Sequence, residues 1–275
     1  MVTVADVRER LRDRPVDLEV GQHRADLVRE ARFRGPGGSR ADALLVEPNG
    51  EATAAALLVH PASGDRTSLL PDALDLAAHG VRCLLPQLAP ERVHDAEAGV
   101  ASRVGWIETL CLGLAALRAC SPDGVPVGYV GQNLGGTLAG AVAAVDGGLV
   151  AAVTAAALPD MGEFFASSPH PVAEDRRTRH GLATVLVVRE GTAALELVAT
   201  AGAAPGTRWF LQLGGRDDWL PTDETVEAYR RRLPDAEIAV YPTAGHGLAI
   251  PEARTDRVGW LRRHLAASAT ARSSS

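Results

Sequence analysis

Val125-Pro126-Val127-Gly128-Tyr129-Val130-Gly131-Gln132-Asn133-Leu134-Gly135-Gly136-Thr137-Leu138-Ala139-Gly140 is the stretch whose reading decides the fold. It opens on a short apolar run rich in Val with one Tyr, which reads as a buried strand. The run ends in Gly131-Gln132-Asn133-Leu134-Gly135, and a helix rich in Ala, Leu and Val follows without a break. Gly131 and Gly135 suit a turn so sharp that a Cβ at either place would collide with the neighbouring strand or helix. The apex of that turn is Asn133.

Working outward, the chain alternates strand and helix signals. Val4–Asp13 reads as a short charged helix. Asp26–Phe33 and Ala41–Val46 alternate as an antiparallel pair joined through Gly35-Pro36-Gly37-Gly38. Ala54–His60 is a continuous apolar run, a strand buried on both faces, and it opens into His60-Pro61-Ala62-Ser63-Gly64-Asp65. Leu69–His79 has helical spacing and stops at Gly80, and Val81–Leu85 is the next strand. Pro86–Gly99 is a polar loop containing His94, and Val100–Ala119 a long amphipathic helix. The helix after the turn runs to about Ala144, and Leu149–Ala157 is another buried strand. Arg208–Leu213, Thr222–Arg232, Glu237–Tyr241 and Pro251–Ala266 continue the pattern as strand, helix, strand and helix, with Pro251 in the first turn of the last. Strands alternating with helices demand a mainly parallel sheet with helices on both faces. The fold class is therefore α/β, and residues 1–275 are expected to form a single domain. The rhythm breaks only over 158–206, which holds Pro159, Pro169, Pro171 and the charged cluster Glu174–Arg179. That stretch is too long for a bare loop, so a small helical cap or insertion is expected there.

Composition bounds the function. The 275 residues are 46% hydrophobic and carry a formal net charge of −6, enough apolar material for one large α/β core. There is no Lys, so all 28 basic residues are Arg. They are scattered rather than gathered in a stripe, which argues against nucleic acid as a partner. Cys83, Cys111 and Cys120 show no metal spacing and read as small buried hydrophobes. Met1–Arg14 is charged and lacks the apolar core of a signal peptide. No run of about 18 apolar residues occurs, so no membrane span is expected. A reducing cytoplasm fits best. Ala269–Ser275 reads as a frayed tail. No dinucleotide fingerprint or phosphate loop is present, and no cofactor or metal is expected.

The strand–turn–helix at Gly131–Gly135 has the context of a nucleophile elbow. Asp217, in Gly214-Gly215-Arg216-Asp217, and His246, in Gly245-His246-Gly247, follow it at predicted strand ends. With His60-Pro61-Ala62-Ser63-Gly64, these motifs in this order resemble the α/β-hydrolase superfamily over about Asp26 to Ala266. In size and layout the chain is similar to small dienelactone-hydrolase-like esterases. The resemblance implies an α/β-hydrolase fold and a site in which Asn133 holds the nucleophile position, Asp217 the acid and His246 the base. Family spacing selects Asp217, and Asp218 is the alternative acid. The oxyanion hole would use the backbone N–H groups of Leu134 and Ala62, since Pro61 has none. Ser63 is read either as a hydroxyl lining the site or as a loop cap. Met161, Phe164 and Phe165 either close the pocket over a substrate or pack within the cap.

Asn133 departs from the family pattern, which has Ser, Cys or Asp there. A carboxamide is a poor nucleophile that no base of neutral pKa can usefully deprotonate, although it both donates and accepts hydrogen bonds. Losing the nucleophile of a serine hydrolase costs on the order of 10⁶ in kcat, so acyl-enzyme turnover through residue 133 is not expected. Deamidation would put a carboxylate at the apex, but bulky Leu134 disfavours it. Two functions follow. One is an enzyme in which the His246–Asp217 pair performs acid/base chemistry on a small carbonyl or ester substrate, by non-covalent hydrolysis, elimination, cyclisation or epimerisation, with Asn133 orienting substrate or water. The other is an inactive small-molecule binding protein that has kept the pocket.

Overall fold

The structure, a computed structural model, describes residues 1–12 and 14–273. Asp13, assigned above to the end of the first helix, and Ser274 and Ser275 of the tail lie outside the described residues. In chain order the elements are α1 (Val4–Leu11), β1 (Leu18–Ala25), β2 (Val28–Arg34), β3 (Arg40–Val46), β4 (Ala54–Val59), α2 (Leu70–Ala77), β5 (Val81–Pro86) and α3 (Ala96–Ala119). After these come β6 (Val127–Gln132), α4 (Leu134–Asp146), β7 (Ala151–Ala155), α5 (Met161–Ser167), α6 (Pro171–His180), α7 (Leu182–Thr192) and α8 (Leu197–Thr200). The chain closes with β8 (Arg208–Gly214), α9 (Thr222–Arg232), β9 (Glu237–Tyr241) and α10 (Pro251–Ser273).

Among the described residues the strands form one sheet in the order β1-β2-β3-β5-β4-β6-β7-β8-β9. From β5 to β9 every pairing is parallel, and β1, β2 and β3 add an antiparallel edge. The strand side chains divide by parity, as the two-residue repeat requires. Ala55, Leu57 and Val59 of β4 join the core built with α1, α3 and α4, while Ala54, Ala56 and Leu58 join the one built with α2 and α10. A strand buried on both faces has no polar side to show, which is why β4 reads as an unbroken apolar run. On the second face Arg257 of α10 clasps buried Asp72 of α2, Nε donating at 2.5 Å.

The elements depart from the sequence reading in three places. The strand β1 was not anticipated, because Leu18–Ala25 is an edge strand with mostly exposed side chains and no apolar alternation. The helix α3 begins four residues before Val100, because Asp95 caps it by accepting the Ala98 N–H at 2.8 Å. By length and composition α3 is the one described helix that could cross a membrane, and it is mostly buried inside the fold. Third, α10 runs on to Ser273, so Ala269–Ser273 is helical rather than frayed. Of the three cysteines, Cys83 and Cys111 are buried and Cys120 is partly so, and burial pushes all three thiols up from their ordinary pKa.

Residues 158–206 connect β7 to β8 through α5, α6, α7 and α8. A buried ion pair ties this segment to the sheet layer. Arg103 of α3 donates to Glu196 at 3.0 Å and to the Thr192 hydroxyl at 2.9 Å. Glu196 also accepts the backbone N–H groups of Met161 (2.8 Å) and Gly162 (3.1 Å) at the start of α5. Burial pushes the Glu196 carboxyl up and the Arg103 guanidinium down, and their mutual attraction opposes both shifts. Nearer the rim, Arg176 of α6 grips Glu91 with two bonds of 2.6 Å. Removing one partner of a buried pair strands the other charge. Glu196→Ala is therefore expected to cost about 3–5 kcal/mol, measured by urea unfolding. The double change Arg103→Met with Glu196→Leu removes both charges and should cost clearly less.

Candidate functional site

The site begins at the junction of β6 and α4. Asn133 has φ 48° and ψ −109°, a left-handed conformation uncommon for a residue with a side chain. Close packing imposes it. A Cβ on Gly131 would lie 2.3 Å from the Gly135 carbonyl, and one on Gly135 would lie 2.4 Å from the Val59 carbonyl oxygen. Only glycines let β4, β6 and α4 come this near. The Asn133 N–H donates to Ala155 O of β7 at 2.8 Å, and the Asn133 carbonyl accepts the Thr137 N–H at 2.8 Å. Tyr129, wholly buried, donates its hydroxyl to Gly135 O at 2.5 Å.

The ends of β8 and β9 bring Asp217 and His246 to this turn. Asp217 accepts the backbone N–H groups of Trp219 and Leu220 at 2.8 and 3.1 Å, which fixes its carboxylate. His246 Nδ1 lies 2.9 and 3.0 Å from the two Asp217 oxygens. The Asp217 side chain is 1% exposed and that of His246 12%. Asp218 is exposed, and among the described residues the carboxylate paired with the imidazole is that of Asp217. With Nδ1 donating to Asp217, Nε2 carries the lone pair, and Asn133 Nδ2 donates to it across 2.6 Å. That orientation turns Asn133 Oδ1 toward Ala62, whose N–H donates to it at 3.3 Å. One carboxamide thus bridges the imidazole and the loop after β4. The Leu134 N–H, in the first turn of α4, has no hydrogen-bond partner among the described residues.

Several positioning residues escaped the sequence reading. His60 is buried, its Nδ1 2.7 Å from Pro61 O and its Nε2 accepting the Leu88 N–H at 3.1 Å. Pro61 O also accepts the Gly64 N–H at 3.0 Å, so the turn that aims the Ala62 N–H is bonded from both sides. Gln132 donates to Gly247 O at 2.7 Å and steadies the His246 loop. Trp219 stacks on His246, ring centroids 4.5 Å apart and planes within 8°. Its indole also stacks on Phe164 at 5.6 Å and meets His170 at 4.6 Å. The available signals were an aromatic two residues after the acid and a His between prolines in a helical stretch. Beside Asp217, Pro169, His170, Trp219 and Pro221 line an open depression of about 550 Å³.

The other residues singled out from the sequence lie as follows. Met161 is buried at the start of α5, and Phe164 reaches the imidazole only through Trp219. Phe165 meets Phe164 edge-on and lies beneath the Arg176 guanidinium, 4.2 Å from its ring centre. Ser63 is exposed, and its hydroxyl makes no hydrogen bond among the described residues. The loop is capped instead by Ser68, whose hydroxyl accepts the Asp65 N–H at 3.1 Å. No group of three or more His, Cys, Asp or Glu able to hold a metal ion occurs among the described residues.

No protein-family model matches the sequence, and no curated protein matches it. Solved structures do. Acetyl xylan esterase 1 from Thermoanaerobacterium sp. JW/SL YS485 is similar with a TM-score of 0.72 at 17% identity, over 95% of this chain and 92% of that one. The acetyl xylan esterase from Paenibacillus sp. R4 is similar with a TM-score of 0.71 at 17% identity, over 94% and 92%. A Pyrococcus furiosus esterase follows at 0.64 and 13%, over 92% and 97%. The chain has the α/β-hydrolase fold.

Because close backbone contact at the glycines shapes the turn, Gly135→Ala is the sensitive substitution. Its Cβ meets the rigid Val59 carbonyl, so a loss of about 1–3 kcal/mol or more is expected in chemical unfolding. The same change at exposed Gly206, where nothing lies within 4 Å of an added Cβ, should leave stability nearly unaltered.

Proposed function

We propose that this chain is an α/β-hydrolase superfamily enzyme that acts on a small carbonyl or ester compound through His246 and Asp217, with no covalent intermediate on residue 133. The observation that carries the reading is the 2.9 Å contact between His246 Nδ1 and the buried Asp217 carboxylate, which leaves Nε2 turned to the apex of the elbow. An acid held this way fixes the tautomer in which Nε2 is basic, and it stabilises the imidazolium that forms when a proton is taken. A substrate carbonyl would displace Asn133 Oδ1 from the Ala62 N–H and take the Leu134 N–H as its second donor. His246 Nε2 would then move a proton at the neighbouring carbon or from a water. The displaced Asn133 carboxamide orients that water or the substrate. The esterase neighbours favour an ester among the candidate substrates, and the motif resemblance points to the dienelactone-hydrolase-like group. We place the protein in the cytoplasm, with neither nucleic acid nor membrane as its partner.

The Asn133 bridge itself favours a second reading, a binding protein without turnover. In the resting site the carboxamide already satisfies both the base and one oxyanion donor, as a plug would.

p-Nitrophenyl acetate separates the two. The enzyme reading expects slow steady release of p-nitrophenol by the parent, without a burst, and loss of that release in His246→Ala. In Asn133→Ser the new hydroxyl should lie within reach of Nε2 and give a burst of one acyl-enzyme equivalent. A parent no faster than His246→Ala beside an Asn133→Ser that does burst would establish the binding reading. A folded Asn133→Ser that gives no burst, with a parent that gives no turnover, would refute the assembled base and hole on which the enzyme reading depends.

A further inference from the structure

We propose that Asn133 is a self-modification site, whose side-chain amide closes on the Leu134 nitrogen in the folded chain, expels ammonia and is hydrolysed to a carboxylate. The proposal does not depend on whether the site turns over an external substrate.

The first support is the backbone. Ring closure joins the Leu134 nitrogen to Asn133 Cγ in a five-membered cyclic imide. Such a ring is nearly flat, so the Leu134 nitrogen must eclipse Cβ about the Cα–C bond. In an L-residue Cβ stands about 120° from the backbone nitrogen around that bond, so eclipse falls near ψ of about −120°. Asn133, at ψ −109°, is held within about 10° of it. A flexible chain must find this conformation, and a bulky side chain on the following residue slows the search. Here the contacts of Gly131 and Gly135 impose it whatever follows, so the steric objection to Leu134 read from the sequence loses its force.

The second support is the chemistry around the amide. The attacking Leu134 N–H has no competing acceptor among the described residues. The carbonyl to be attacked has its oxygen against the Ala62 N–H, which stabilises the charge that develops there. The group to be expelled, Nδ2, lies 2.6 Å from His246 Nε2. These are the donors and base of an amide-cleaving site, with the chain's own side chain in the place of substrate. In the step, the Leu134 nitrogen bonds to Cγ and its proton passes through a water to His246 Nε2. The Cγ–Nδ2 bond then breaks, and His246 hands that proton to the departing nitrogen, which leaves as ammonia. A second water opens the imide, giving aspartate or its isomer linked through the side-chain carboxyl. Nothing is oxidised or reduced, and water is the sole co-reactant.

The chain supplies its own reference. Its other asparagine, Asn49, is exposed and precedes Gly50, the sequence that reacts fastest in a flexible chain because glycine hinders least. Freshly purified full-length protein is incubated in mildly alkaline buffer, folded and in urea, and both asparagines are followed by peptide mass mapping. Loss of ammonia followed by gain of water marks the reaction. In urea Asn49 should convert first. In the folded protein Asn133 should convert first, about tenfold or more faster than in urea. His246→Ala, checked for folding by circular dichroism, should slow Asn133 and leave Asn49 unchanged. The proposal is overturned if folded Asn133 reacts no faster than in urea, if it stays intact while Asn49 converts, or if folded His246→Ala converts at the parent's rate. Should His246→Ala fail to fold, the folded-against-urea comparison of the parent still decides. Activity is not the readout, so failure of the enzyme reading leaves this result standing.

Discussion

The site hangs from one steric constraint, the backbone contact between β6, α4 and β4 at Gly131 and Gly135. It forces Asn133 into a conformation that costs of the order of 1–3 kcal/mol. The Ala155, Thr137 and Tyr129 hydrogen bonds lie around the turn and offset that cost. From the same constraint follow the direction of the Asn133 side chain and the exposure of the Leu134 N–H to the site rather than to the helix. The loops of Ala62, Asp217 and His246 come from three other strand ends, and each is held by its own backbone bonds. They meet at Asn133 because parallel strands deliver all their carboxyl ends to one edge of the sheet.

The carboxamide is well chosen for the place it holds. A hydroxyl there would have to donate and accept through a single atom. Asn133 offers a donor and an acceptor on one rigid plane, and so closes a polar circuit from Asp217 through His246 to Ala62. Polar groups in a half-buried site are costly when unpaired, and among the described residues the Leu134 N–H is a donor left open. A ligand must therefore repay two hydrogen bonds to Asn133 before it gains any of its own.

Much of this was legible in the sequence, and the rest was not for physical reasons. Strands β4 to β8 are covered on both faces, so their burial is written as apolar runs. The Gly and Asp motifs sit at their ends, and the His motif at the end of β9, because those ends converge. Strand β1 was invisible because an exposed edge has no need of apolar alternation. The start of α3 was obscured because its first turn is polar and its cap is a single Asp. The partnership of Trp219 with His246 and Phe164 joins three separate loops and segments, and no local pattern encodes it. The same holds for the Arg103–Glu196 pair. Each looks like an ordinary surface charge in sequence, and only the path of 158–206 over α3 buries them together. The Asn133 bridge needed distances as well, since residue identity alone says that an amide can bond twice, not that it does.

The guanidinium clasps have a consequence for alkaline conditions. Arg103 with Glu196, Arg118 with Asp146, Arg176 with Glu91 and Arg257 with Asp72 hold the helices to one another and to the segment over 158–206. A chain with Lys in these places would begin to lose its ion pairs near pH of about 10.4, whereas an ordinary guanidinium stays charged beyond about pH 12, although burial pushes that of Arg103 down. What gives way first in base is then the set of weak acids in the interior. Burial raises the phenols of Tyr129, Tyr229 and Tyr241 and the thiols of Cys83 and Cys111 above their ordinary values. The folded chain keeps those protons while the unfolded chain releases them, from about pH 8.5 for a thiol and about pH 10 for a phenol. Stability is undiminished below that range and drains away as the pH climbs through it. Proton release from buried, uncharged side chains, Cys120 among them, thus weakens this fold in base.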